Sequence, residues 1–443
     1  MWKLHMEPCQ FTAVDALALL RQRKLSCEEL VRSCLGRIQQ RDHLTRAWQH
    51  VDSGLVIREA RELDKCPPTG VMHGIPFGVK DVIDTAEYPT TQNSPIYHDL
   101  RVGRDAGCVA LMKACGALVL GKTDTVEFAS SGRKALTRNP HDFDHTPGGS
   151  SSGSGAAVAD FMVPIALGTQ TGGSLVRPAA YNGIYGMKPS WNRVSSNGVR
   201  VLSSSLDTVG WYGRCIQDLA LVSHAFHFKL HNQRIVVRGL RVALCRTPMW
   251  SEIEPAGADA LHAVARRLSD NGAIVEELSL PPRFAELGAA HAAIYNREAG
   301  VAFLPEYVTH SSLLAAGLKA KVENAKGISD EVLLESYATA DECRRAFGPY
   351  LRERNFDVVM APAAPGEAPS GLQNTGSSVF NALWTLLHVP CIAVPAGRGP
   401  AGLPVGVQLI GPQMSDSMLL AIAEAVSPII DSGRGAGVRE LLQ

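Results

Sequence analysis

Residues 148–178 read GGSSSGSGAAVADFMVPIALGTQTGGSLVRP, and the order of residue types here decides how the flanking chain is read. A Gly/Ser loop opens the stretch. The run GSGAAVADFM then predicts a helix, and VPIALGT, a short apolar run closed by a glycine, predicts a buried strand. A second loop, TGGS, follows. The same alternation extends outward. Upstream, GCVALMKACG reads as a helix and ALVLGK as a strand. Downstream, LRVALC, AIVEELSL, FDVVMAP, CIAVPAG and PVGVQLIG read as strands. ADALHAVARRLSDNG reads as a helix ending at a glycine cap, and SMLLAIAEAV as a further helix. At the amino end Thr12 and Asp15 suit a capped start before VDALALL, and Ser26 with Glu29 forms a capping box opening CEELVRSCLGRIQQR. This pattern implies an α/β fold, a large twisted mixed sheet covered by helices on both faces. Residues 284–353 read as a mostly helical layer or cap. No repeat, linker or boundary stands out, so residues 1–443 are expected to form one domain with its motif-bearing core at 70–215.

The bulk composition narrows the function. The 443 residues are 45% hydrophobic and 19% charged, enough to bury a sizeable core. With 43 basic and 43 acidic residues, nothing favours nucleic acid or an anionic membrane surface. The start, MWKLHMEPCQFTAVDALALL, lacks a basic region followed by a long apolar run. No stretch reaches the roughly 18 apolar residues of a membrane span. Ten cysteines without CxxC pairs suit reduced thiols, and a cytoplasmic location is expected. Fourteen histidines form neither HExxH nor an HxH pair, so no metal site is expected, and no cofactor.

Three short motifs mislead. Residues 116–123, GALVLGKT, fit the P-loop pattern, but a P-loop needs a bare, curved backbone around phosphate, and Ala-Leu-Val-Leu is a strand. Residues 149–153, GSSSG, fit a nucleophile elbow around Ser151, but the preceding NPHDFDHTPG is a loop where the elbow requires a strand. Residues 131–134, SGRK, fit SxxK without its companion motifs.

The serine-rich loops still need a base, and no histidine lies within them. HGIPFGVKDVID upstream supplies Lys80 inside GVKD. Ser150 directly follows Gly148-Gly149, and Ser174 directly follows Gly172-Gly173, 24 residues later. With GKTDTVEFA, TRNPHDFDHTPGG, SSSLDTVG and PVGVQLIGP, these features resemble the amidase signature family over most of the chain. The resemblance implies a Ser–cis-Ser–Lys triad: Ser174 as nucleophile, Ser150 as the bridging serine after a cis peptide, and Lys80 as the base. It also implies an oxyanion hole over Thr171, Gly172, Gly173 and Ser174.

The chemistry is consistent with those roles. A free lysine, with a pKa near ~10.4, is about 3.4 units from accepting a proton at neutral pH, roughly 4.6 kcal/mol. Burial in a dry pocket shifts a lysine by that order, and IPFGVKDVI gives Lys80 apolar neighbours. Asp81 is expected on the opposite face of an extended strand, away from the Lys80 amine. A hydroxyl both donates and accepts, so Ser150 suits a relay. Backbone amides around the glycines suit a developing oxyanion.

The chain also departs from the family pattern. Gln170 stands where common members carry aspartate, and Val176 where they carry arginine. Losing both members of a buried pair together avoids an orphaned charge. The GTQTGGSxxRP arrangement resembles a malonamidase-like branch, which implies that Arg177 reads a substrate carboxylate or carbonyl. The bland alternative is that Arg177 pairs with a local acid. Ser130 and Ser151 are further candidates for substrate binding, and residues 127–131 and the loop near Asn139 for pocket walls. The expected partner is a small-molecule amide, and a homodimer is compatible with the chain. The expected reaction is hydrolysis of that amide through an acyl-enzyme. Carbamate or urea hydrolysis, and the glutaminase component of a transamidation complex, are alternatives on the same triad.

Overall fold

The computed structural model describes residues 6–130, 132–229, 231 and 233–431. Among these residues eleven strands form one sheet. They are β1 (Trp48–Val51), β2 (Pro76–Lys80), β3 (Leu118–Thr123), β4 (Ile165–Gln170), β5 (Tyr185–Lys188), β6 (Thr208–Gly213), β7 (Arg241–Cys245), β8 (Ile274–Leu278), β9 (Val358–Pro362), β10 (Cys391–Arg398) and β11 (Pro404–Ile410). Their spatial order is β1-β3-β2-β4-β6-β5-β10-β11-β9-β7-β8. The sheet is mixed. β2 runs parallel to β3 and β4, and β7 parallel to β8 and β9. The pairs through β5, β6, β10 and β11 are antiparallel.

Alternate residues of a strand face opposite sides of its sheet, so a strand buried at every position is covered on both faces. Every residue of β2, β3, β4, β5, β6 and β9 is buried. The edge strands β1 and β8 are only partly so. The expected α/β architecture, with helices over both faces, is the one observed.

Local signals act as read. The Thr12 side chain caps the helix Ala13–Arg21 by accepting from Asp15 N, and Ser26 and Glu29 form a reciprocal capping box on Cys27–Thr45. The helix Pro255–Asp270 ends two residues before Gly272, whose φ of +90° favours glycine. One expectation is corrected. The strand read through IPFGVKDVI stops at Lys80, where Val82 N and Ile83 N both turn back to Lys80 O, at 2.8 and 2.9 Å.

The carboxyl ends of the parallel trio β3-β2-β4 lie side by side, with Lys80 opposite Thr123 and Val79 opposite Leu167. In open α/β sheets this end is where ligands bind. The segment after Ser150 docks there. Its helix, Ser152–Ala159, packs on β2, β3 and β4, and Ser154 Oγ lies 2.7 Å from Thr123 Oγ1. The stretch read as a helical layer holds the helices Leu287–Ala302, Leu304–His310, Ala316–Val322 and Asp330–Glu353.

Candidate active site

Lys80 is the last residue of β2 and is fully buried. Its Nζ lies 2.8 Å from Ser150 Oγ and 2.7 Å from Thr169 Oγ1 on β4. No carboxylate forms an ion pair with it among the described residues. Burial holds Lys80 well below the ordinary lysine range, opposed in part by the charge of Asp207 and reinforced by Arg177. The amine is thereby poised to exist uncharged, which a proton acceptor requires.

Asp81 serves the neighbouring lysine. Its Oδ1 is 3.1 Å from Lys122 Nζ, and both side chains are fully buried. It also accepts from Thr91 Oγ1 and Thr91 N. Lys122 reaches Thr90 Oγ1 at 2.8 Å as well. The Gly-Lys-Thr of the P-loop look-alike is therefore the buried end of β3, as its apolar sequence implied.

The peptide between Gly149 and Ser150 is cis. Gly148, with φ of +80°, occupies a conformation that side-chain-bearing residues rarely adopt. Behind the loop, Ser152 Oγ donates to Gly148 O at 2.8 Å, and Thr125 Oγ1 to Ser150 O at 2.9 Å.

Ser174 lines a cavity of about 540 Å³ together with Thr171, Gly172, Gly173, Arg177 and Ser130. Its hydroxyl has no hydrogen-bond partner among the described residues, and its carbonyl accepts from Tyr212 Oη at 3.1 Å. The amides of Gly172, Gly173 and Ser174 likewise donate to no protein acceptor among the described residues. A Cβ on Gly173 would stand 2.4 Å from Asn381 Oδ1, so only glycine lets the loop lie this close.

Gln170 explains the departure from the family pattern. Its Oε1 accepts from Leu175 N at 2.9 Å and Val176 N at 3.1 Å, and its Nε2 donates to Thr385 Oγ1 at 3.0 Å. A neutral amide thus ties the start of the helix Val176–Asn182 to β4 without needing a counter-ion at 176.

Arg177 is buried and borders the cavity. It donates through Nη2 to Gly149 O and, at 3.1 Å, to Thr375 Oγ1, while Nε has no partner. No acid pairs with it among the described residues, which removes the bland alternative. Ser130 sits in the cavity wall, its Oγ 2.6 Å from Tyr295 Oη. Ser151 is elsewhere. It is fully buried, its Oγ donates to Thr169 O at 3.1 Å and accepts from Thr169 N at 3.2 Å, and it does not border the cavity. The polar backbone of β4 claims this hydroxyl. Asn139 is also structural, donating to Thr146 O and Tyr181 O. Ser131 lies outside the described residues.

Sequence reasoning missed Thr169, Asp207, His291 and Thr385. Thr171 Oγ1 donates to Asp207 Oδ1 at 2.5 Å, and His291 Nε2 donates to Thr171 O at 2.8 Å. Asp207 carried a signal, since it lies inside the quoted SSSLDTVG. His291 carried none, being one histidine in an alanine-rich helix.

A buried lysine hydrogen-bonded to Ser150 at the ends of the parallel strands suits a serine hydrolase, and comparison with known proteins assigns the chain to hydrolases acting on carbon–nitrogen bonds. The model of the Amidase family matches residues 29–420, and the chain belongs to that family. It is 32% identical to a component of the glutamyl-tRNA(Gln) amidotransferase of Cupriavidus pinatubonensis, covering 94% of this chain and 95% of that protein. Peptide amidase from Stenotrophomonas maltophilia superposes with a TM-score of 0.78 at 26% identity, over 95% of this chain and 96% of that one. Fatty acid amide hydrolase shares the fold, with a TM-score of 0.87 at 20% identity over 97% of this chain and 86% of that one. Among the described residues no helix is long and apolar enough to cross a membrane.

Proposed function

We propose that this amidase hydrolyses a small-molecule amide through Ser174, Ser150 and Lys80, and that the acyl part of the substrate carries a negative charge. The observation that carries the reading is a fully buried amine, without an acid partner among the described residues, 2.8 Å from Ser150 Oγ. Neutral Lys80 takes the Ser150 proton while Ser150 takes the Ser174 proton. Ser174 Oγ bonds to the substrate carbonyl carbon, whose oxygen becomes the oxyanion facing the amides of Gly172, Gly173 and Ser174. The proton returns through Ser150 to the leaving nitrogen as the C–N bond breaks. Water, activated along the same route, then releases the acid. The open Ser174 hydroxyl fits this scheme, because catalytic hydrogen bonds often tighten only when substrate is bound.

The cavity wall supports the acidic acyl group. It holds Arg177, Lys321 and Lys326 and no carboxylate. The likeness to an amidotransferase component over most of the chain favours a second reading, a glutaminase that works with partner proteins. The cavity's three cations suit the α-carboxylate of glutamine as well, but offer no acid for its ammonium group, which favours an acyl group that is acidic without an amine. Carbamates and ureas fit the same triad.

A fluorophosphonate probe tests the core of the proposal. Ser174 is the expected site, with labelling abolished in Ser174→Ala and slowed in Lys80→Ala. Labelling of Ser150, Ser151 or Ser154 instead would overturn it. A panel of amides, ureas, carbamates and glutamine then separates the substrate readings.

A further inference from the structure

From Thr171 to Ser174 the chain presents three successive peptide planes, and each carbonyl is tied from behind. Thr171 O accepts from His291 Nε2 at 2.8 Å. Gly172 O accepts from Thr385 Oγ1 at 2.7 Å. Gly173 O accepts from Arg177 N at 3.0 Å. These peptides are trans, and in a trans peptide the N–H points opposite to the C=O. Fixing the three carbonyls therefore fixes the directions of the N–H groups of Gly172, Gly173 and Ser174. Those are the amides with no protein acceptor among the described residues, in the wall of the cavity.

The Arg177 bond belongs to the start of a helix, but the other two anchors come from far along the chain. Thr385, on the helix Val379–Leu386, is itself oriented by Gln170 Nε2 at 3.0 Å. His291 lies on the helix Leu287–Ala302, in the region read as a mostly helical layer or cap. A carbonyl oxygen can only accept, so His291 Nε2 carries the proton. The buried ring lies parallel to that of Tyr295, with centroids 6.2 Å apart. The same helix grips the site twice more. Tyr295 meets Ser130, and Glu298 accepts from Ser203 Oγ at 2.5 Å and Ser205 N at 3.0 Å. Positions 291, 295 and 298 share one helical face.

We infer that His291 and Thr385 are positioning residues that aim the oxyanion-binding amides, by holding the carbonyls of Thr171 and Gly172. The inference rests on the reading of Ser174 as nucleophile. A bond that merely stabilised the fold would alter melting temperature and leave the chemical step alone. A bond that aims a donor acts on the transition state, where removing one oxyanion donor elsewhere costs about 10²–10³-fold in rate.

The test uses the full chain with p-nitrophenyl acetate turnover and the second-order rate of fluorophosphonate labelling. His291→Ala and Thr385→Val are each expected to lower kcat and the labelling rate by about tenfold to a hundredfold, with KM within about twofold, as loss of aim without loss of the donors implies. His291→Gln, which can still donate to Thr171 O, is expected to recover several-fold of the His291→Ala loss. Wild-type kcat and labelling in both truncations would overturn the inference. So would a loss confined to KM, or a His291→Gln enzyme that matches His291→Ala in rate while folding like wild type. Retained activity in Ser174→Ala is a different failure, since it removes the nucleophile itself.

Discussion

Lys80 and Lys122 occupy adjacent parallel strands and are both fully buried, yet their amines leave opposite faces of the sheet. Lys122 pairs in register with Val79, so Lys80, one residue on, points the other way. Lys122 meets the carboxylate of Asp81, and Lys80 meets two hydroxyls. One lysine is held as half of an ion pair, and the other is kept from any such partner.

Opposite consequences follow for their removal. Lys122→Met leaves Asp81 buried and unpaired, which costs about 3–5 kcal/mol of stability. Lys80→Met is expected to lower kcat/KM by about 10²–10⁴-fold, the usual contribution of a general base. Urea denaturation and amide turnover of both variants check the contrast. Titration calorimetry should also show no ATP binding by either wild type or Lys122→Met.

The pH dependence has a definite sign. Lys80 in the folded chain lies well below its ordinary value of 10.5, so activity is expected to rise with pH along a limb centred below that value. Stability follows the same direction. Between the folded and unfolded values the unfolded chain holds the extra proton, so stability increases with pH across that window and gains nothing further above it. Lys80→Met removes this contribution. The stability of wild type relative to Lys80→Met should therefore grow as pH rises, and a constant difference in urea midpoints would count against an amine depressed by burial.

Asp207 adjusts that limb. Burial raises its carboxyl to about 6, and above that pH its negative charge favours protonated Lys80. Asp207→Asn removes the charge, and its one carbonyl oxygen can accept from Leu202 N and Ser203 N while its Nδ2 donates to Thr171 Oγ1. The activity limb should move to lower pH, read from kcat/KM profiles of the two enzymes.

Arg177 holds Gly149 O and also faces the cavity, so its replacement affects every substrate. The informative quantity is a ratio. Arg177→Ala is expected to lower kcat/KM for acidic amides by about tenfold to a hundredfold more than for neutral ones, the worth of a hydrogen bond to a charged group. Equal losses would leave Arg177 a purely structural role.

Much of this was legible from local chemistry. The caps at Thr12 and Ser26, the strand through Leu118–Thr123 and the alternation around Ser150 depend on near neighbours in the chain, and the structure repeats them. The strands β1, β5 and β6 were not. WQHV is short and polar at the sheet edge, while YGMK and TVGWYG carry glycines that break an apolar run. A Cβ on Gly186 would sit 2.8 Å from that of Ala179 on the preceding helix and 3.2 Å from the Tyr212 ring on β6, so this glycine answers to how helix and strands pack, which no local pattern states.

The sequence by itself determined which residue types stand at the site: a lysine in an apolar strand end, serines behind paired glycines, and a neutral Gln170 in place of a charge. It could do so because each is set by its immediate neighbours. Only the tertiary structure decided that Ser151 turns inward, that Arg177 has no acid beside it among the described residues, and that His291 reaches across 120 residues to the Thr171 carbonyl. These depend on which groups are left to satisfy one another once the chain is packed, and burial makes that a property of the whole fold.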